Sequence, residues 1–325
     1  MLDNIWYQRP WYRWPVMLAL CPVMLLFAAM AWARRQAFEK GYISAHKISV
    51  PVIIVGNISV GGNGKTPLVI RLAQLLKQQG LRPGVLSRGY GGKSAKYPLT
   101  VLPDSSPKVV GDEPVLMKQH LSCAMVVDPD RPRGAKYLVD NHKCNVIICD
   151  DGLQHYALKR DIEIVVMDGK RRCGSGFLLP MGPLRESQKR LASVDFVVVN
   201  GGSVKTGEHL MGLEPGGLIN VKNPSRSQSL SSLNAPVVAV AGIGNPQRFF
   251  RLLQSRSVKL KTCLSFADHH QFTVKDLPRE TLLMTEKDAV KCRPFAFEDW
   301  WYLPVSAKLT ASFEQQLLNK LRNLK

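Results

Sequence analysis

No C-x-x-C pair occurs in these 325 residues, and the cysteines, at 21, 123, 144, 149, 173, 263 and 292, are odd in number and scattered. That excludes a cysteine-built zinc module and fits a reducing compartment in which cysteines serve as small core residues. Also missing are an internal repeat and any polar, repetitive run of the kind that forms a disordered tail. Hydrophobic residues make up 45% and charged residues 21%, a composition that folds. Acidic residues are scarce, 25 against 44 Lys and Arg, which leaves a formal surplus of +19. Such a surplus draws a protein toward polyanions, whether nucleic acid, anionic lipid or a phosphorylated substrate. The cations concentrate at Arg34-Arg35, Lys159-Arg160, Lys170-Arg171-Arg172 and Lys189-Arg190. They lack the aromatic interleaving and fold signature of a nucleic-acid module, so no nucleic-acid partner is expected.

What the chain does have begins near its N-terminus. Residues Pro15–Ala33 carry no charge and at helical rise cover about 30 Å, the thickness of a bilayer's hydrocarbon core. Arg9 and Arg13 precede the run, Arg34 and Arg35 follow it, and Trp6, Tyr7, Trp11, Tyr12, Trp14 and Trp32 crowd its ends as rings do at headgroup level. This predicts a membrane helix over residues 1–35, spanning or partly embedded, with Pro22 able to kink it. A cleaved signal peptide and a buried core helix are the competing readings. Export would strand the nucleotide site described next where there is no ATP, and a soluble core leaves the flanking aromatics unexplained.

Val50-Pro-Val-Ile-Ile-Val55 is an apolar run suited to a buried parallel strand, and apolar residues at 68, 69, 72, 75 and 76 mark one face of a helix that Gly80 can stop. Between them lies Ser59-Val60-Gly61-Gly62-Asn63-Gly64-Lys65-Thr66. In a strand–loop–helix setting those glycines let backbone N–H groups face a phosphate, Lys65 neutralises the β and γ phosphates, and Thr66 places its hydroxyl on Mg²⁺. Ser59 stands where the consensus has its first glycine, while the Gly-Lys-Thr core is intact. ATP and Mg²⁺ are therefore the expected cofactors.

A site of this kind also needs an acid at the end of a neighbouring buried strand. Asn145-Val-Ile-Ile-Cys-Asp150-Asp151 supplies two, of which at most one points straight at the metal because adjacent side chains diverge. Further polar loops are Ser87-Arg88-Gly89-Tyr90-Gly91-Gly92, Gly111-Asp112-Glu113-Pro114 and Asp130-Arg131-Pro132-Arg133-Gly134. Each borders a short apolar strand, and in a parallel sheet the strand C-termini form the ligand crevice. Arg185, in the rigid stretch Pro180–Glu186, suits charge stabilisation during transfer.

Residues 203–234 lose the strand–helix rhythm and are rich in Gly, Ser and Asn, which marks a connector. Pro236-Val-Val-Ala-Val-Ala-Gly-Ile-Gly-Asn-Pro246 then opens a second strand-to-helix unit. Its Gly242-x-Gly244 reads more readily as an ordinary turn than as a second nucleotide site. The expected organisation is an anchoring helix over 1–35, a P-loop domain over 36–202, a linker over 203–234 and a smaller closing domain over 235–325. In fold class this is α/β, with predominantly parallel sheets. A P-loop switch ATPase and a nonenzymatic basic protein are the alternatives, and acceptor-dependent ADP release separates them from a kinase.

In order along the chain stand VGNISVGGNGKTP, SRGYGG, VGDEP, DRPRGA, DDGLQH, LLPMGPLRE, FADHHQF and TEKDAVK. With the N-terminal apolar helix, this series resembles the tetraacyldisaccharide 4'-kinase family, the lipid A 4'-kinases of Gram-negative bacteria, nearly end to end. The resemblance implies transfer of the γ-phosphate of ATP to the 4'-hydroxyl of a tetraacylated glucosamine disaccharide 1-phosphate. It implies two α/β/α domains, a monomer, and a site at the cytoplasmic side of an anionic bacterial inner membrane. By the same resemblance Asp112 is the base, assisted by His269, and Lys65, Asp150, Asp151 and Arg185 complete the catalytic set, with Thr66 and Asp150 on the metal. Arg88, Tyr90, Glu113, Arg131, Gln154 and His155 are the implied substrate contacts. The chemistry agrees, since a sugar hydroxyl is a poor nucleophile and needs a carboxylate to orient it and accept its proton.

Overall fold

The structure, a computed structural model, describes residues 2–8, 10–233 and 235–324. Arg9, one of the cations flanking the apolar run, lies outside the described residues.

The strands in chain order are β1 Val52–Gly56, β2 Pro83–Ser87, β3 Leu99–Thr100, β4 Ala124–Val127, β5 Val146–Asp150, β6 Ile162–Asp168, β7 Phe196–Asn200, β8 Glu208–Pro215, β9 Leu218–Asn220, β10 Ser227–Gln228, β11 Val237–Ala241, β12 Leu260–Ser265, β13 Leu282–Thr285, β14 Trp300–Leu303 and β15 Val305–Leu309. They form two sheets, one in the order β15-β8-β7-β6-β1-β5-β2-β4-β3 and one in the order β10-β9-β14-β13-β11-β12. Pairing in the larger sheet is parallel except at its two edges, where β15 and β3 run antiparallel. Every residue of β1, β2, β5 and β7 is buried, which is why they read as continuous apolar runs rather than alternating ones.

Helix Lys65–Gln78 buries Leu68, Val69, Leu72, Ala73, Leu75 and Leu76 against the larger sheet, as the apolar spacing predicts. Gly80, at φ +75°, follows its end. The parallel strands aim their C-terminal ends at one crevice. From β1 the chain enters the Gly-rich loop, from β2 the Arg88–Gly92 loop, and from β5 the pair Asp150-Asp151.

Sheet membership divides the chain differently from the expected boundaries. The stretch 203–234 is not a bare connector: β8 extends the larger sheet, while β9 and β10 belong to the smaller one. Composition conceals this because β8 has neither a continuous apolar run nor a regular alternation, and only Met211 in it is buried. The smaller unit likewise does not run to the C-terminus. β15 pairs with β8, and helix Ala311–Arg322 packs Phe313, Leu317 and Leu321 into the larger core. Those residues repeat at the spacing of one helical face, and the ring of Phe313 meets that of Phe196 with centroids 5.3 Å apart.

At the N-terminus a short helix Leu2–Tyr7 precedes a long one, Arg13–Glu39, which contains Pro22 and runs past residue 35. Its apolar surface is largely unburied: Trp14, Leu18, Val23, Leu25, Leu26, Met30 and Trp32 are all exposed. The aromatic cluster divides. Trp11 is 91% exposed, whereas Trp6 is buried with Ile5, Met17 and Met181 and donates its indole N–H to the carbonyl of Pro180 at 3.0 Å. Trp6 is therefore a protein contact that ties the helix to the Pro180–Glu186 segment.

Candidate active site

The Gly-rich loop is fixed from both sides. Asn63 donates its amide to the hydroxyl of Ser59 at 3.0 Å, so the serine at the consensus glycine position braces the loop from within. Val60 N–H donates to the Pro183 carbonyl at 2.8 Å, and the Asn200 amide at the end of β7 donates to the Asn63 carbonyl at 3.0 Å. Gly64 has φ +96°, and a Cβ there would overlap the Asn200 amide, so this position needs glycine twice over. Lys65 and Thr66 open the helix that follows.

The two adjacent aspartates have different environments. Asp151, at φ +47°, takes Arg185 through both terminal nitrogens, at 2.9 and 3.3 Å, and lies 3.5 Å from the Lys65 ammonium. Burial pushes its carboxyl up, but Lys65 and Arg185 outweigh burial and hold it far below the usual carboxylate range. Asp150 is 2% exposed and accepts one hydrogen bond, from the Ser87 hydroxyl at 3.2 Å. Its Oδ1 is buried without a partner, and burial, with Glu113 and Asp151 nearby, raises its pKa. A buried carboxylate oxygen left open beside a phosphate-binding lysine is a fitting cation ligand, and Mg²⁺ needs only one or two carboxylates alongside phosphate oxygens. Among the described residues no cluster of three or more His, Cys, Asp or Glu side chains could hold a metal by itself.

Across the crevice, helix Asp112–His120 begins at Asp112, which is 7% exposed. The smaller unit reaches it through His269, whose Nδ1 lies 3.1 and 3.2 Å from the two carboxylate oxygens. Burial would raise the Asp112 carboxyl, yet His269 and Lys287 hold it below its ordinary value. The hydrogen bond to Asp112 in turn raises His269. Tyr90 lies against the His269 ring with centroids 4.8 Å apart. His270 turns away and stacks on Phe266, so the two histidines are told apart by what they touch.

Of the other sequence-predicted residues, Glu113, Arg88, Gln154 and His155 all line the shared cavity of about 1010 Å³. Gln154 donates to Glu186 at 2.6 Å and to the Asn57 carbonyl at 3.2 Å. His155 is pushed down to about 4 by burial and by Arg131 and Arg88, so it is neutral near pH 7. Arg131 is 1% exposed and spends two guanidinium donors on the carbonyls of Asp128 and Asp150, at 2.9 and 3.0 Å. It thus holds the ends of β4 and β5 together behind the site. Arg185 is likewise paired, to Asp151 and Asn57, and does not project freely.

Sequence reasoning missed three features. Lys287 sits 2.7 Å from Glu113, 3.1 Å from Asp268 and 3.4 Å from His269 Nε2, within the TEKDAVK motif but with no local signal of that role. Gly244, read as a turn, comes so close to the Gly-rich loop that a Cβ there would lie 2.5 Å from the Gly62 nitrogen. Arg171 bridges the same junction by donating to the Gly244 carbonyl at 2.8 Å. Phe27, Met30, Ala31 and Arg34 of the long N-terminal helix complete the cavity wall, so one space is shared by the phosphate loop and the exposed apolar helix.

Comparison with known proteins bears on this geometry. The family model described as tetraacyldisaccharide-1-P 4'-kinase matches residues 16–322. The tetraacyldisaccharide 4'-kinase of Pseudoalteromonas atlantica is 65% identical over 94% of this chain and 100% of its own length. That of Tolumonas auensis is 47% identical over 100% and 98%. The chain belongs to the tetraacyldisaccharide 4'-kinase family. The fold agrees: the crystal structure of LpxK from Aquifex aeolicus, solved in complex with ATP, superposes with a TM-score of 0.76 at 30% identity, covering 94% of this chain and 99% of that one. As a tetraacyldisaccharide 4'-kinase family member this chain is an ATP-dependent phosphotransferase. The Gly-rich loop with Lys65 and Thr66 is the part of its cleft chemically suited to the nucleotide phosphates.

Proposed function

We propose that this chain transfers the γ-phosphate of ATP to the 4'-hydroxyl of tetraacyldisaccharide 1-phosphate, with Asp112 as the base, in the synthesis of lipid A. The observation that carries the mechanism is the Asp112–His269 contact, made between the two units, with His269 lining the same cavity as Lys65.

Loop amides of residues 59–66 and the Lys65 ammonium bind and orient the phosphates. Thr66 and the open oxygen of Asp150 would hold Mg²⁺, which when bound supplies neutralisation of the charge on the transferring phosphoryl group. Asp151, kept ionised, fixes Lys65 and Arg185 in place. The acceptor oxygen forms its bond to the γ-phosphorus as the bond to the β,γ-bridging oxygen breaks and ADP leaves, while the hydroxyl proton passes to an oxygen of Asp112. His269 orients that carboxylate through Nδ1. Arg88, Tyr90, Glu113, Gln154 and His155 line the space open to the sugar.

The exposed apolar surface of Arg13–Glu39, together with the +19 charge surplus, supports seating the enzyme on an anionic inner membrane, catalytic units in the cytoplasm. An acyl-chain substrate reaching the cavity past Phe27 and Met30 then need not leave the bilayer entirely. Incubation of the enzyme with Mg-ATP labelled in the γ position and purified tetraacyldisaccharide 1-phosphate tests the reading. Labelled bis-phosphorylated lipid, lost with Lys65→Ala, is the expected result; ATP hydrolysis indifferent to the acceptor would point instead to a switch ATPase.

A further inference from the structure

Three acids gather where the two units meet across the crevice. Asp112 and Glu113 come from the start of one helix, Asp268 from the loop after β12, and among the described residues Lys287 is the Lys or Arg side chain within hydrogen-bond distance of Glu113 and Asp268. Its placement is locally unfavourable. It stands in the first turn of helix Glu286–Cys292, whose N-terminus is the positive end, and it is itself 13% exposed. The position is nonetheless fixed. Thr285 caps that helix by accepting from Asp288 N–H, and Asp288, wholly buried, also accepts from Gly242 N–H at 2.8 Å. The residue that pins Lys287 therefore also pins the loop that approaches the phosphate site at Gly244.

An ammonium only donates, so Lys287 Nζ at 3.4 Å from His269 Nε2 faces that nitrogen's lone pair when the ring is neutral. The ring proton then resides on Nδ1, which is the nitrogen turned toward Asp112. Resting on the proposed base role of Asp112, we propose that Lys287 is a positioning residue for phosphoryl transfer: from the second unit it fixes the Nδ1–H form of His269 and keeps Asp112 an open, ionised acceptor.

The groups facing this cluster are Asp112 and Glu113 from one helix, Asp268 and His269 from the loop after β12, Lys291 from the helix of Lys287, and the Tyr90 ring. Lys287 opposes protonation of both His269 and Asp112. Its removal therefore moves the acid limb of the rate profile to higher pH.

The test measures kcat and KM for both substrates across pH for wild type, Lys287→Met, Lys287→Arg and Asp112→Ala, with ¹⁵N NMR of the His269 ring. The expected result for Lys287→Met is a kcat loss of about 10- to 100-fold, an unchanged KM for ATP, an acid limb moved to higher pH and a mixed His269 tautomer. Lys287→Arg, which keeps the charge, restores the limb and most of kcat. Lys287→Met with wild-type kcat and limb overturns the proposal, as does a kcat loss that Arg does not relieve and that leaves limb and tautomer unmoved. Full activity of Asp112→Ala instead sinks the base assignment itself, so the two failures are distinguishable.

Discussion

His269 and Asp112 meet at 3.1 Å although 157 residues separate them and they belong to units built on different sheets. The contact needs the smaller unit seated against the larger, so each unit supplies one half of the pair.

Their mutual pKa shifts give that docking a pH window. Asp112 is held below its ordinary value, so its contribution is present above the unfolded carboxylate range, about pH 4, and is lost as pH falls through the lower folded value. His269 is raised, as is His120, whose Nε2 lies 2.7 Å from Glu286 of the smaller unit. Their contributions are complete below the unfolded histidine value of about 6.5 and fade as pH rises through the folded values. Thermal unfolding of wild type against His269→Ala/His120→Ala should therefore show its largest Tm gap between about pH 4.5 and 6.5. A gap that widens above pH 8 contradicts these assignments.

Gly244 predicts a nucleotide phenotype from a residue outside the phosphate loop. A Cβ there would lie 2.5 Å from Gly62 N, so Gly244→Ala displaces either the loop or the docked unit. We expect KM for ATP to rise about tenfold, the equivalent of about 1.4 kcal/mol, with the fold retained. Steady-state kinetics with circular dichroism checks this, and an unchanged KM would show that the two loops do not constrain each other.

The C-terminal helix belongs energetically to the larger unit. Phe313 is fully buried against Phe196 and His209, and Arg71 pairs with Glu314 at 2.6 Å. Phe313→Ala should cost about 3–5 kcal/mol, as large-to-small changes in packed cores do. A chain ending at Pro304, which loses β15 and this helix, should expose the larger core and fail to fold as a soluble protein. Denaturant unfolding of the first and expression of the second decide the point. A stable truncated chain would contradict the assignment.

Much of this was legible beforehand because it is local. The strand, Gly-rich loop and helix from 50 to 80 announce themselves by burial pattern and glycine chemistry, and Asp150-Asp151 by position at a strand end. The Asp112–His269 pair was legible only through family resemblance, since nothing in either segment encodes its partner. What escaped notice is nonlocal. Lys287 acquires its role from Glu113, 174 residues away, and β15 joins an edge whose strand, β8, has too little apolar content to advertise itself. The contact of Trp6 with Pro180 had no local signal either, because an aromatic beside an apolar helix looks the same whatever it meets.

The exposed face of Arg13–Glu39 makes a membrane prediction distinct from catalysis. Replacing Leu18, Leu25 and Leu26, all more than half exposed, by Glu should abolish flotation with anionic liposomes while leaving unfolding unchanged. Undiminished flotation would show that the charge surplus alone holds the protein at the surface.

In the proposed reaction Asp112, set by His269, takes the acceptor proton. Single-turnover transfer of labelled γ-phosphate from Mg-ATP to tetraacyldisaccharide 1-phosphate, at saturating nucleotide, tests it most directly in Asp112→Ala and His269→Ala. We predict ATP affinity within about twofold of wild type for both, a rate loss of about 10²- to 10⁴-fold for Asp112→Ala and a smaller loss for His269→Ala. Wild-type transfer rates in Asp112→Ala, with ATP binding intact, would contradict it.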